Sequence, residues 1–333
     1  MNRRDFMRVM VVGAAGWPVS IRAEHGAQAP LIGVLFSAPA DDAWSQRFTA
    51  AFDRRMKERD SLSSPNVEVQ YRFSGGDTDA TRAYARELIA MRPAVILANT
   101  NTSMAALHRE ATSIPVVFIN VSDPVGMGYV ESLSRPGHSV TGLTPFVPSL
   151  GGKWLSFLKE LAPSIEDLGV IFNPEPGNNS ASFLRAIEAA APSFAIKRVV
   201  TPHANSADIE RTIVDLGNTS SSGLVFLPDA LTYARRNEIA QLVAKHRIPA
   251  IFPWRDFVTA GGLISYGPHE AYGDEMVRQA ANYVSRILSG EKPAEMPVQA
   301  PTKLVTTINA RTAKTLGLEI PASLMVLADE VIE

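Results

Sequence analysis

From residue 31 onward the chain alternates short β-rich apolar runs with longer amphipathic stretches, and it does so twice over. LIGVLFS (31–37) is too short and too β-branched to be a buried helix and reads as a buried strand. Trp44, Phe48, Phe52 and Met56 then recur at a spacing of four, which places them on one helix face. VEVQYRF (67–73), AVILANT (94–100) and PVVFINV (115–121) are the next strands, separated by helices over 78–91 and 102–112. Strands that read as continuous apolar runs are buried on both faces, so the sheet is mostly parallel and covered by helices on each side.

The rhythm restarts after Pro145 and Pro148. A helix over 150–161 leads to LGVIFN (168–173), a helix over 179–191, and AIKRVV (195–200). A helix over 206–216, GLVFLP (223–228), a helix over 232–246, PAIFP (249–253) and GLISYG (262–267) complete a second half of similar size. The expected fold class is therefore α/β, with two doubly wound parallel-sheet lobes. A long helix over 268–289 ends at Gly290. After it come the Pro-rich KPAEMPVQAPTK (292–303), a strand LVTTIN (304–309) and a short helix ending near Leu316 and Gly317. One long helix beyond a finished sheet implies a return to the first lobe. The first lobe is then 30–144 plus about 268–300, and the second 145–267 plus about 301–333. Crossings near 144–148, 265–270 and 297–303 make a multi-crossing hinge with a defined closing direction.

The first residues, MNRRDFMRVMVVGAAGWPVSIRA, put Arg3 and Arg4 before a short apolar run. That layout is an export signal, too short to span a bilayer, and the paired arginines point to the twin-arginine type. Cleavage falls between Ala23 and Ala29. The whole chain carries a formal charge of −2, and loss of residues 1–23, with four arginines and one acid, leaves −5. Mild acidity speaks against nucleic acid as a partner. The absence of cysteine excludes thiolate catalysis, thiolate zinc sites, disulfides and a lipid anchor on a cysteine.

In open α/β sheets ligands bind at the carboxyl ends of the strands, beside helix amino termini. In the first half the polar residues there are Ser37, Asn99, Thr100, Asn101, Thr102, Ser122 and Asp123. In the second half they are Asn179, Ser180, Asp229, Thr232, Trp254 and Tyr266. Such a set suits a small zwitterionic or polyhydroxyl ligand. Hydroxyls and helix N–H groups meet a carboxylate, Asp123 or Asp229 meets an ammonium, and the aromatics wall an apolar body. Part of this set is expected to serve as helix caps, above all Thr102, Ser180 and Thr232. Signals for chemistry are weak. The loop SAPADDAW after the first strand has no glycine, so it holds neither a dinucleotide fingerprint nor a phosphate loop, and no GxSxG is present. The six histidines, His25, His108, His138, His203, His246 and His269, show no metal-binding spacing on a helix. No metal, no cofactor and no catalytic group is expected.

The opening RRDF with GAAGWP, SDPVGMGYVESLSRPGHSVTG (122–142), IPAIFPWRDFVTAGGLISYG (248–267) and INARTAKTLGLEIPASLMVLADEVIE (308–333) together resemble the ABC transporter substrate-binding protein family of type I periplasmic binding fold. The resemblance spans essentially the whole chain. It implies a soluble, monomeric periplasmic receptor that closes two lobes on a small solute and presents it to a membrane permease. Some relatives bind aromatic amino acids between the lobes. By matching motif, the resemblance carries the ligand onto Thr100, Ser122, Asp123, Asn179, Ser180 and Asp229. The chain departs from the usual pattern in NTNTSMA (99–105), which is amide-rich, and in Trp254, which would fill the side-chain pocket where some relatives carry a small residue. A ligand-sensing receptor for a membrane signalling partner is the competing reading. An α/β enzyme is a third, and it lacks a nucleophile, base and acid in one grouping.

Overall fold

The computed structural model describes residues 29–333 apart from 64–66, 111–112, 174–179, 202–205 and 270–271. The export signal expected over 1–23 and the site residue Asn179 lie outside the described residues.

The first half builds β1 (Leu31–Phe36), α1 (Ala43–Ser63), β2 (Glu68–Phe73), α2 (Thr78–Ala90), β3 (Val95–Asn99), α3 (Thr100–Arg109), β4 (Val116–Ile119) and β5 (Val140–Gly142). Its five strands lie in the order β2-β1-β3-β4-β5 and every pairing is parallel. Ile32, Val34 and Phe36 point to one face of β1 and Leu35 to the other, and all four are fully buried. That double burial is why the strand reads as an unbroken apolar run. Phe48, Phe52 and Met56 of α1 cover the first face, as their spacing requires.

The second half builds α4 (Leu150–Leu161), β6 (Asp167–Ile171), α5 (Ser180–Ala190), β7 (Arg198–Val200), α6 (Ser206–Gly217), β8 (Ser222–Phe226), α7 (Ala230–Ala234), α8 (Arg236–Lys245), β9 (Ala250–Phe252), α9 (Arg255–Thr259) and β10 (Ile264–Pro268). The chain then forms α10 (Tyr272–Leu288), β11 (Leu304–Asn309), α11 (Ala310–Leu316), α12 (Ala322–Leu327) and β12 (Glu330–Ile332). The second sheet has the order β12-β11-β10-β9-β8-β6-β7, parallel except for the antiparallel β10–β11 pair. Leu224 and Phe226 of β8 face a cluster with Phe252 and Phe257, while Val225 and Leu227 face one built on α4 and α5. Each such fully buried side chain contributes about 1.5–3 kcal/mol.

Three stretches pass between the sheets. The chain leaves the first after β5, where Thr144 donates its N–H to the Gln299 carbonyl at 2.8 Å. It returns between β10 and α10, whose Met276, Val277, Ala280 and Val284 pack on the first sheet. It crosses again before β11, with Gln299 donating its N–H to the Gly142 carbonyl at 2.9 Å. The first and third crossings thus run side by side and are tied through their backbones.

The helix expected over 232–246 is two, α7 and α8, parted at Arg235, whose backbone (φ −95°, ψ 15°) is not helical. Thr232 is not a cap. Asp229, extended at φ −147° and ψ 156°, caps α7 by accepting the Thr232 N–H at 2.8 Å, and Thr232 lies fully buried inside the first turn. Thr102 is also inside its helix, because α3 starts two residues earlier, at Thr100. The sequence reading missed β5, α9, α12 and β12, none longer than six residues.

Candidate functional site

The carboxyl ends of β1, β3 and β4 bring three loops together in the first lobe. Ser37 and Thr100 hydroxyls lie 2.6 Å apart, and Ser37 Oγ also reaches the Asn99 carbonyl at 3.4 Å. Asn120 donates its side-chain amide to Asn99 Oδ1 at 3.0 Å. Asn101 makes a two-point contact with Ser122: its Nδ2 donates to the Ser122 carbonyl and its Oδ1 accepts the Ser122 N–H, each at 3.0 Å. The side-chain amide of Asn101 thereby ties the start of α3 to the loop after β4. Ser37, Thr100, Asn99 and Asn120 are joined in this way, as are Asn101 and Ser122. Thr102 stands half-buried in the first turn of α3 beside them.

Thr100, Asn120 and Asp123 all have left-handed backbones, with φ of 82°, 55° and 51°. Asparagine and aspartate tolerate this region, but a β-branched threonine does not adopt it freely. Held strain of this kind costs about 1–3 kcal/mol per residue and gathers at binding sites. Asn99 occupies the N-cap position of α3 without a side-chain cap bond, since its Oδ1 is taken by Asn120. The first turn of α3 also holds no acidic residue. Its N–H groups therefore face a loop set without a carboxylate from the helix itself, a favourable place for an anion. Asp123 is only 8% exposed. Its Oδ1 accepts the Gly126 N–H at 3.0 Å, and no described lysine, arginine or histidine pairs with it. A buried carboxylate in that state calls for a cation.

In the second lobe Asp229 gathers its own neighbours. Its Oδ1 accepts the Thr232 N–H at 2.8 Å, and its Oδ2 accepts the Thr232 hydroxyl at 2.8 Å and the Asn173 N–H at 3.3 Å. Burial pushes the Asp229 carboxyl above the usual carboxylate range, against the pull of these hydrogen bonds. Ser180 opens α5. Trp254 stands before α9 in an aromatic group, edge-on to Phe146 at 5.4 Å and to Tyr233 at 5.0 Å, and stacked on Phe257 at 6.3 Å. Phe146 belongs to the first crossing, so this group ties the hinge to the end of the second sheet. Tyr233 donates to Asp256, and burial, with that carboxylate, pushes its phenol up to about 12.

Tyr266 packs on the same core cluster as Trp254. It sits within β10, edge-on to Phe157 of α4 at 5.1 Å, and its carbonyl accepts the Trp154 indole N–H at 2.8 Å. The sequence reading missed Asn120 and Trp44. The signal for Asn120 was available, since it directly follows β4. Trp44, in the first turn of α1, carries a buried indole N–H with no partner. Among the described residues no group of three or more histidine or acidic side chains is placed to hold a metal ion, and no helix is long and apolar enough to cross a membrane.

Two parallel-dominated sheets, joined by several crossings and carrying polar loops at their strand ends, define a binding protein of type I periplasmic fold. The chain belongs to the ABC transporter substrate binding protein family, whose model matches residues 34–332. That family consists of substrate-binding proteins and not enzymes. The chain is 22% identical over 270 residues to a tyrosine-binding protein of Clostridioides difficile, covering 80% of this chain and 76% of that one. Among solved structures it is similar to a conserved domain protein from Vibrio cholerae, with TM-score 0.76 and 24% identity over 91% of this chain and all of that one. It is also similar to an ABC domain in complex with L-Trp from Streptococcus pneumonia, with TM-score 0.76 and 20% identity over the same shares.

Proposed function

We propose that the chain is the extracytoplasmic receptor of an ABC importer that closes its two lobes on a free amino acid or a closely related zwitterion. In this reading residues 1–23 are a twin-arginine export signal and the protein works as a soluble monomer in the periplasm, delivering its solute to a membrane permease. The lobes are 30–144 plus about 268–300, and 145–267 plus about 301–333.

The observation that carries the reading is Asp123. It is a nearly buried carboxylate with no described cation partner, and it directly follows Ser122, whose backbone Asn101 of α3 holds. With the amino end of α3, these loops offer a partner for an ammonium and a partner for a carboxylate. Asn179, Ser180 and Asp229 bring the second lobe onto the same solute. The names of the tyrosine-binding relative and of the L-Trp complex support an amino acid. No covalent step is needed, because a solute that touches both lobes has greater affinity for the closed state and shifts the hinge towards it.

The test is thermal unfolding of residues 24–333 against amino acids, short peptides, sugars and nucleosides. A ligand at about 100 times its dissociation constant adds about 2.7 kcal/mol, a shift of a few degrees. Hits confined to free amino acids support the reading. Hits confined to sugars or nucleosides overturn it.

A further inference from the structure

Of the three asparagines of the first-lobe loops, Asn101 is tied at two points to the Ser122 backbone, while Asn99 and Asn120 share one hydrogen bond. Asn99 is 2% exposed and Asn101 9%. These two ties span the loops after β3 and β4. Between them lies Thr100, and directly after Ser122 lies Asp123, both held in left-handed backbone. A strained conformation persists only where its surroundings over-determine it, and the paired amides supply that constraint.

We propose that Asn101, backed by the Asn99–Asn120 pair, is a positioning residue. It touches no solute and sets where the Asp123 carboxylate and the Thr100 hydroxyl stand. The inference rests on the amino-acid reading above and sharpens it. An asparagine that reads a polyol must offer its donor and acceptor together to neighbouring hydroxyls, and Asn101 has both committed to the Ser122 backbone. Beside Asn101 the loops offer a hydroxyl pair, helix N–H groups and the Asp123 carboxylate. That set fits a free α-amino acid.

The test is a double-mutant cycle on Asn101→Ala and Asp123→Asn in the full chain, read by isothermal titration calorimetry. The probes are the twenty L-amino acids and their N-acetyl derivatives. Alone, Asn101→Ala is expected to weaken binding of the free amino acids about 10- to 100-fold and to shrink their preference over the N-acetyl forms. In the Asp123→Asn background it is expected to add less than about 3-fold, because contacting residues couple and independent ones add. An equal loss in both backgrounds, or a lowered Tm with unchanged affinity, overturns the proposal.

Should Asn101→Ala fail to fold, Asn101→Asp goes through the same cycle with the same two outcomes. It keeps the acceptor for the Ser122 N–H and loses the donor to the Ser122 carbonyl. If no amino acid binds the unaltered protein, the functional reading fails, and the positioning claim is decided by amide hydrogen exchange. Exchange at Ser122 at least about 10-fold faster in Asn101→Ala, with a changed Asp123 backbone resonance, supports it; unchanged exchange overturns it.

Discussion

Ser37 and Thr100 meet hydroxyl to hydroxyl at 2.6 Å while the Thr100 backbone is held at φ 82°. Strain and function are therefore set against each other at one residue. Thr100→Gly releases a β-branched side chain from a region it disfavours. It gains about 1–3 kcal/mol of relieved strain and loses about 0.5–1 kcal/mol to the greater freedom of the unfolded chain. The expected outcome is a net gain of about 1 kcal/mol in urea unfolding, together with weaker amino-acid binding from the lost hydroxyl. A loss of both stability and affinity would show that the left-handed backbone is not strained.

Asp229 supplies a pH dependence. Burial raises its carboxyl above the ordinary value of 3.8. The folded state therefore binds the proton more tightly than the unfolded chain. Its stabilising contribution is complete below about pH 4 and is lost as pH rises through the raised folded value. Asp229→Asn removes the group that titrates, while its side-chain oxygen can still accept the Thr232 N–H. Urea midpoints of the unaltered protein and of Asp229→Asn, compared from about pH 4 upward, are expected to diverge, with the unaltered protein falling more steeply. Parallel curves would mean that Asp229 ionises as freely in the fold as out of it. Asp229→Ala removes the acceptor as well and is expected to cost about 2 kcal/mol at any pH, from the lost cap and the lost side-chain bond of the Thr232 hydroxyl.

Much of this architecture was legible because burial on both faces leaves an unmistakable apolar run. LIGVLF and GLVF read as strands for that reason, and the four-residue spacing of Trp44, Phe48, Phe52 and Met56 read as a helix. The stretch with Trp254 was harder. Its aromatic residues fit a strand end equally well, and α9 is only five residues long. At the site, position along a strand was readable and engagement was not. Asn101 and Thr100 are neighbours of similar polarity, yet one amide is consumed by the Ser122 backbone and one hydroxyl faces Ser37. Only the folded course of the loop after β4 separates those roles. Tyr266, the middle residue of β10, turns its ring towards Phe157.

Under the proposed amino-acid reading, Trp254 is expected to set the volume left for a solute side chain. It is half-buried and braced by Phe146, Tyr233 and Phe257. Trp254→Ala is expected to cost about 2–3 kcal/mol, below the full penalty for a completely buried tryptophan. The same change should shift the preference of the site towards larger amino acids in competition binding. Unchanged selectivity with the same stability loss would place Trp254 in the packing of the hinge alone.

Gly142 ends β5 where the chain first leaves the first lobe. A Cβ built there would lie 2.1 Å from the Phe118 carbonyl oxygen. That oxygen accepts the Leu143 N–H at 2.8 Å, the bond that holds the crossing to the sheet. Gly142→Ala must therefore push apart β4 and the start of the crossing, at a cost of about 3 kcal/mol. Gly128, at φ 73° with open space around its Cβ position, is the control. There an alanine meets only the left-handed backbone penalty of about 1 kcal/mol. Urea unfolding of the two variants should separate by about 2 kcal/mol, with Gly142→Ala the weaker. Because the first and third crossings are tied through Gly142 and Gln299, small-angle scattering of Gly142→Ala should also show a closing motion altered relative to Gly128→Ala when an amino acid is added. Equal stability in the two variants would show that β4 and the crossing yield to a methyl group, and that the hinge is softer than its backbone ties imply.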